Sequence, residues 1–359
     1  MHGMRDEELQ TRWLQFGVLS PIMRLHASDS EFLGKEPWSY PEPYCSVMKR
    51  WLRLRHALLP WLYTKNVQSS REGWPILYPV YYDWPEAWEA FEAQEEEYVL
   101  GGELLVCPIT SPADATGLAH ARAWLPGGEW VEFTTGRRYT GGQCLRVYRP
   151  LSEAPIFVRP GTVIAMDGSV CLANGGPLPQ MLRFRAFAGA SGGCTVIEDN
   201  GKLPHSPDRR VVRTRCALDI REGMAVTISP PQGATELIPE DRRYALELVG
   251  VENRNPDEAN CEYDASYDAG TRTLKLSFAA PAAEGIALAW HVAPACPALN
   301  REALMMEALR PLRMNTSDKD RVMDIARRVT SAVGRIAAWR CLDLPDSVMG
   351  LLVELEAQA

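Results

Sequence analysis

The sequence lacks a long apolar run. No stretch approaches the ~18–20 consecutive apolar residues that a membrane-spanning helix needs, so no membrane partner is expected. It also lacks a basic stripe. Its 38 Lys and Arg stand against 46 Asp and Glu, a formal net charge of −8, which argues against a nucleic-acid partner. The nine cysteines are scattered, odd in number and without a CxxC pair, so neither a disulfide framework nor a zinc site is expected. P-loop, HExxH and EF-hand patterns are absent, and no cofactor is expected. The opening MHGMRDEELQ is polar and acidic, which is not secretory-signal chemistry. With thiols read as reduced, the expected location is cytoplasmic.

What is present is uneven. A chain of 359 residues predicts two or three domains. Nine of the eleven Trp fall between Trp13 and Trp130, which sets the first third apart. RDEELQTRWLQFGVL predicts a helix, with Leu9, Trp13 and Phe16 at helical spacing and acids in its first turn. SPIMRLH, residues 20–26, predicts a short strand. CSVMKRWLRLRHALLPWLYTKNV predicts a long amphipathic helix over 44–67. Met48, Trp51, Leu52, Arg55, Leu58, Leu59 and Leu62 lie along one side, and Pro60 kinks it or ends its first half. Helix, strand, loop and helix is the rhythm of an α/β barrel.

After Arg71-Glu72-Gly73 the pattern changes to short β runs separated by Gly and Pro turns. The predicted architecture is multidomain α/β plus all-β. Residues 1–73 form the last strand and helices of a (β/α)8 barrel, 74–170 a proximal β-sandwich, 171–294 a distal β-sandwich and 295–359 a helical tail. The Gly/Pro-rich stretch 168–180 is the expected boundary between the sandwiches. Asp199-Asn200-Gly201 and Asp268-Ala269-Gly270 mark tight turns, and Asn315 is placed as a helix cap.

Arg24 and His26 end the predicted strand, two residues apart and so on one face. At the C-terminal end of a barrel strand such residues face the open, functional side. Imidazole can hydrogen-bond a sugar hydroxyl or move a proton, and guanidinium can orient a carboxylate. The plainer alternative is that both only tie down the loop carrying Lys35, Glu36 and Trp38.

TRWLQFGVLSPIMRLHAS resembles the end of the catalytic barrel of glycoside hydrolase family 31, the α-glucosidases and α-xylosidases. Arg12, Trp13, Gln15, Gly17, Ser20, Pro21, Arg24 and His26 stand in register with that family's RWxQxGxxSPxxRxH. EPW at 36–38 and RHALLPWLYT at 55–64 resemble two further blocks. PILYPVYYDWP, YVLGGELLVCPIT, WLPGGEWVEFTTGRRYTGG and APIFVRPGTVIAM resemble the β domain after the barrel, and TVIEDNGK a turn of the distal sandwich. The resemblance covers about residues 5–250. It implies a retaining hydrolase of α-glycosides whose partner is a saccharide with a terminal α-linked sugar. By it, His26 is a sugar-binding histidine and Arg24 its support.

Retaining hydrolysis needs two carboxylates about 5–5.5 Å apart. In the family all three site aspartates precede the point where this sequence starts, and nothing here resembles their blocks. No catalytic residue is therefore assigned. Asp29, Glu31 and Glu36 follow His26 without a strand-end partner. Asp83 reads as a turn residue, and Asp6, Glu7 and Glu8 as helix-start charges. Glu198 with Asp199 reads as a hairpin turn before a cation site, and Trp124 and Trp130 as core before sugar-stacking rings. The expectation is a C-terminal portion of a glycosidase, inactive alone and prone to self-association. The alternatives are a non-catalytic carbohydrate-binding or structural β module, and one half of a split enzyme completed by the N-terminal part of the barrel.

Overall fold

The computed structural model describes residues 4–27, 32, 34–169, 175–298 and 300–357. Helix α1 (Glu7–Val18) starts at Asp6, whose carboxylate accepts a 2.8 Å hydrogen bond from the Leu9 amide. Glu7 and Glu8 add negative charge at the positive end of the helix dipole. The single helix expected over 44–67 is divided into α2 (Tyr44–Ala57) and α3 (Leu59–Glu72). Pro60 causes the division, because a proline has no amide to give to a continuing helix and fits only in a first turn.

The strand expected over residues 20–26 does not form. Residues 23–27 run without regular structure, and no strand of the described residues pairs with them. A parallel strand is held by the N–H and C=O groups of its neighbours. Without such neighbours the apolar pattern of Pro21-Ile22-Met23 has nothing to pair with. No closed barrel is present among the described residues.

The first β region comprises β1 (Leu77–Tyr78), helix α4 (Trp88–Ala93), β2 (Tyr98–Leu100), β3 (Leu104–Val106), β4 (Leu118–Leu125), β5 (Glu129–Glu132), β6 (Arg138–Thr140), β7 (Gln143–Pro150) and β8 (Ile156–Val158). Six strands form one sheet in the order β1-β2-β3-β8-β5-β6, and β4 pairs with β7 as a separate ribbon. The three-residue strands β2, β3 and β8 are buried throughout because both faces of the sheet are covered. On one face Leu104, Val106, Ile156 and Val158 pack with Met48, Trp51, Leu58 and Trp61 of the helices. On the other, Leu105 and Phe157 pack with Ala121, Trp124 and Val147 of the ribbon.

The second β region comprises β9 (Val163–Asp167), β10 (Met181–Phe187), β11 (Gly192–Asp199), β12 (Val211–Asp219), β13 (Met224–Ile228), β14 (Gln232–Gly233), β15 (Arg243–Val249), β16 (Glu258–Ala259), β17 (Tyr263–Asp268), β18 (Thr273–Phe278) and β19 (Ile286–Trp290). Its sheets run β17-β18-β15-β10-β9 and β11-β12-β13-β19-β16, and β14 pairs with β12. Phe184, Leu246 and Leu276 of the first sheet share one hydrophobic cluster with Leu218, Val226 and Trp290 of the second. Strand β9 belongs here by its antiparallel pairing with β10, although the sequence expectation counts residues 163–167 with the preceding domain.

Helices α5 (Arg301–Leu309), α6 (Thr316–Arg328), α7 (Ala332–Arg340) and α8 (Asp346–Glu356) follow. Asn315 occupies the N-cap position of α6 but makes no side-chain cap hydrogen bond. Met305, Val322, Trp339 and Leu352 share a cluster with Leu118 and Tyr148 of the ribbon, so the tail is docked on β4 and β7. The approach is close: a Cβ on Gly350 would lie 2.3 Å from the Tyr148 ring, so only glycine fits there. Beneath it, buried Arg149 donates to Glu132 and to Glu354 at 2.8 Å each and to the Tyr139 hydroxyl at 2.9 Å. Burial opposes the charge of Glu132, but Arg149 and Arg137 outweigh it and hold the carboxyl below its usual range.

Candidate functional site

The segment leaving α1 is positioned from α2. Arg55 donates from Nη1 to the carbonyls of Val18 (3.0 Å) and Ser20, and from Nη2 to that of Pro21 (2.8 Å). One side chain thus satisfies three carbonyls at a helix end that would otherwise lack partners. Tyr98 of β2 adds a 2.9 Å hydrogen bond to the Leu19 carbonyl, and Met23 lies against Gly17. The sequence places Arg55 only on an apolar helix stripe. A charged residue on such a stripe was the available signal that it had buried work to do.

Beyond this clamp, Arg24 and His26 are both exposed, and Arg24 Nη2 lies 3.4 Å from His26 Nδ1. They remain neighbours, although no strand holds them. Among the described residues neither forms an ion pair, and neither bonds the loop at 35–38. Other residues hold that loop. Lys35 donates to Gln10 at 2.8 Å, Arg5 donates to the Ser39 carbonyl and covers the Tyr40 ring at 4.2 Å, and Ser39 donates to Glu36 at 3.3 Å. The tie-down role considered for Arg24 and His26 is thus filled by Lys35 and Arg5.

Other residues of the same block are structural. Buried Arg12 donates to the Glu153 carbonyl at 2.7 Å and buried Gln15 to that of Leu151 at 2.8 Å. Trp51 donates to the Ser152 carbonyl at 3.1 Å, as does Arg50 at closer range. These side chains bind the turn between β7 and β8, and so lock α1 and α2 to the first β region.

The carboxylates are engaged elsewhere. Glu8 accepts from the Ala113 amide at 3.0 Å, Glu7 pairs with Arg5 at 3.4 Å, and Asp83 accepts from Tyr78 at 3.1 Å. Glu198 is buried in a two-bonded pair with Arg242 (2.6 and 2.9 Å), and Asp199 pairs with Arg209 at 2.7 Å. Their carboxylate oxygens are committed to guanidinium groups, which removes the cation reading. No group of three metal-ligating side chains occurs among the described residues. Asp29 and Glu31 lie outside the described residues. Gly189-Ala190-Ser191-Gly192-Gly193 spells a GxSxG pattern, against the expectation that the sequence holds none. Its serine sits in the β10–β11 turn, bonded to Asp219 at 3.3 Å and to the Ile220 amide at 3.0 Å.

Trp124 and Trp130 sort as the core reading expects. Trp124 and Trp130 are 7% and 2% exposed, and Trp130 donates to the Pro126 carbonyl at 2.7 Å, so neither presents a face to a sugar. The exposed tryptophans are Trp13, Trp38, Trp74 and Trp88. A cavity of about 800 Å³ lies beside the Arg55 clamp, lined among others by Ile22, Tyr63, Pro179 and Asp199; Arg24 and His26 do not line it.

Residues 2–65 match the glycosyl hydrolases family 31 TIM-barrel domain, and residues 73–164 match the glycosyl hydrolase family 31 C-terminal domain, in that order. Both matched segments are those of glycoside hydrolase family 31. Among curated relatives, alpha-glucosidase 2 of Bacillus thermoamyloliquefaciens is 33% identical over 159 residues, 44% of this chain and 19% of that protein. The alpha-xylosidase of Saccharolobus solfataricus is 29% identical over 195 residues, 54% of this chain and 25% of that one. The chain thus spans about a quarter or less of these relatives. A Flavobacterium johnsoniae family 31 dextranase, solved with glucose, shares its fold over 79% of this chain and 37% of its own, with a TM-score of 0.67 at 21% identity. The family 31 alpha-xylosidase of Xanthomonas citri matches 68% of this chain and 26% of its own, with a TM-score of 0.58 at 27% identity.

Proposed function

We propose that these 359 residues are the C-terminal part of a retaining α-glycosidase acting on α-glucosides or related α-glycosides. In this reading His26 hydrogen-bonds the sugar at the cleavage site and Arg24 supports it. The residues taken alone hold no carboxylate pair and give no turnover. One observation carries the reading: the Arg12-to-His26 block lies inside the family barrel match, and its members divide into buried joints and an exposed pair. Arg12 and Gln15 are spent on packing, whereas among the described residues Arg24 and His26 bond only each other. Surface residues that stabilise nothing and stand in register with a family site are candidates for ligand contact.

The exposed apolar surface of the same region supports completion by further barrel strands. Leu9 is 62% exposed and Ile22 89%, and Phe16 and Leu25 are also uncovered. Aliphatic side chains clustered this way are what a packed partner surface removes from water.

The test is an assay with aryl α-glucosides and α-xylosides, on the chain alone and after co-expression with the N-terminal part of a family 31 barrel. No turnover alone, and turnover in the pair that falls with His26→Ala, supports the reading. Turnover by the purified chain alone that disappears in His26→Ala refutes the claim that it lacks its own acid pair.

A further inference from the structure

Five aromatic rings form a continuous strip on the first β region, far in sequence from Arg24 and His26. Trp74 meets Tyr82 at 5.7 Å, Tyr82 meets Tyr81 at 5.4 Å, Tyr81 stacks on Phe91 at 4.9 Å, and Phe91 meets Trp88 at 6.3 Å. The strip is open to solvent. Trp74 is 49% exposed, Tyr82 47%, Phe91 37% and Trp88 72%. Isolated exposed aromatics need no explanation, but a connected row of them does.

The rings are held in place. Trp88 Nε1 donates to Glu92 at 3.0 Å, one turn along α4, and Trp74 also meets the buried Tyr78 at 5.6 Å. Ring-to-ring contacts at these distances fix orientation, so little freedom remains to be lost on binding.

The composition separates this strip from the uncovered surface near α1. That surface mixes Leu9, Ile22 and Leu25 with Phe16, as a protein contact does. The strip's exposed large apolar residues are all aromatic, and several carry polar edges: the Trp88 and Trp74 indoles and the Tyr81 and Tyr82 hydroxyls. Its surroundings are acidic, with Glu86, Glu89, Glu92, Glu95 and Glu96 exposed around it; Arg122 pairs with Glu92 and Glu96 and donates to Cys144. An acidic border repels phosphates, sulfates and anionic lipid surfaces. The ligand chemistry that remains is uncharged, with apolar faces that stack on rings and hydroxyls that meet carboxylates and tyrosine hydroxyls.

We infer that the strip from Trp74 through Tyr82, Tyr81 and Phe91 to Trp88 is a docking site for a neutral polysaccharide, separate from the site of hydrolysis. The choice of α-glucans as probes rests on the glycosidase reading; the strip does not. Hydrolysis and docking are read by different experiments on different residues, so either can fail without the other.

The test is native affinity electrophoresis of the full chain in gels containing dextran, amylopectin or alginate. Retardation by a neutral glucan and none by alginate is expected. Trp74→Ala and Trp88→Ala each weaken retention about tenfold and together abolish it, as for loss of a central aromatic anchor. Trp74→Phe and Trp88→Phe keep most of it. Trp13→Ala, an equally exposed tryptophan elsewhere, changes nothing. Unchanged thermal melting of each variant excludes misfolding as the cause. Absence of retardation by both neutral glucans, equal retardation by alginate, or indifference to the paired alanine variant overturns the inference. So does sedimentation showing that the paired variant dissociates a dimer while neither glucan binds, because the strip is then a contact between copies of this chain.

Discussion

The two ends of the chain are joined to the central sheets by different means. The N-terminal helices pack Met48, Trp51, Leu58 and Trp61 against the first sheet and add hydrogen bonds to a half-buried turn, from Arg12 to Glu153 and from Gln15 to Leu151. They leave Leu9, Phe16 and Ile22 in water. The C-terminal helices attach through a desolvated charge network, with Glu354 set between Arg149 and Tyr139, and they close their own hydrophobic cluster. Yet the N-terminal end carries the family match, and the C-terminal helices lie beyond both matched regions. Motif residues select for a shared site, whereas closure of a fold needs only burial and paired charges, which many sequences supply.

The largest effect that sharpens this contrast is expected at Glu354. Glu354→Ala leaves Arg149 buried without one of its three carboxylate partners, and breaking a buried pair this way costs about 3–5 kcal/mol. Urea denaturation should show that loss, with the tail and the β4–β7 ribbon melting together. A loss below about 1 kcal/mol would mean that the tail is an appendage and that the contrast is wrong.

Next comes a pH effect inside the first β region. Burial pushes the Glu97 carboxyl up to about 8, against hydrogen bonds from the Trp124 amide (2.9 Å) and the Cys107 thiol (3.5 Å). The folded chain therefore holds a proton that the unfolded chain releases near pH 4.5. The stabilisation is complete below about pH 4.5 and is lost as pH rises toward about 8. Across that window the wild type should lose roughly 2–4 kcal/mol from this group, and Glu97→Gln should remove that slope. Parallel melting curves of wild type and variant at every pH would show that Glu97 is ionised throughout. The N-terminal helices contain no comparably buried carboxylate among those described, so their attachment should not share this dependence.

Helices, strand composition and the change of pattern near residue 73 were legible in the sequence because periodicity and Gly/Pro punctuation are local. The strand at 20–26 was not. Its apolar run is a real signal, but a strand exists only with neighbours, and those are not local. Trp124 and Trp130 were read as core, and they are buried where α4 and the ribbon meet across a sheet. Glu198 and Asp199 read as a possible cation site because their arginines are distant in sequence: Arg242 is 44 residues away and Arg209 ten. Arg24 and His26 were legible as a pair because only Leu25 separates them, whether or not a strand forms.

Arg55 tests the weaker joint. Arg55→Met keeps the helix stripe apolar and removes the hydrogen bonds to Val18, Ser20 and Pro21. Hydrogen bonds from a charged group are worth about 1.5–3 kcal/mol in net terms. The loss should be local: limited proteolysis after Arg24 should accelerate while the β sheets keep their melting temperature. A drop of the whole melting curve by the full amount would show that this joint is as integral as the one at Glu354.

The smallest effect is expected at His26, and its smallness is what gives it meaning. His26 is exposed, and among the described residues its one polar contact is the 3.4 Å approach of Arg24. Surface substitutions with so little to lose fall within about ±0.5 kcal/mol. His26→Ala and Arg24→Ala should each leave the denaturation midpoint unchanged. If either costs more than about 1 kcal/mol, the residue is holding the chain and not waiting for a sugar. The division of the motif into buried joints and an exposed pair would then collapse. If neither does, any loss of turnover seen with His26→Ala in the completed barrel belongs to the sugar contact alone, since stability has been removed as its cause.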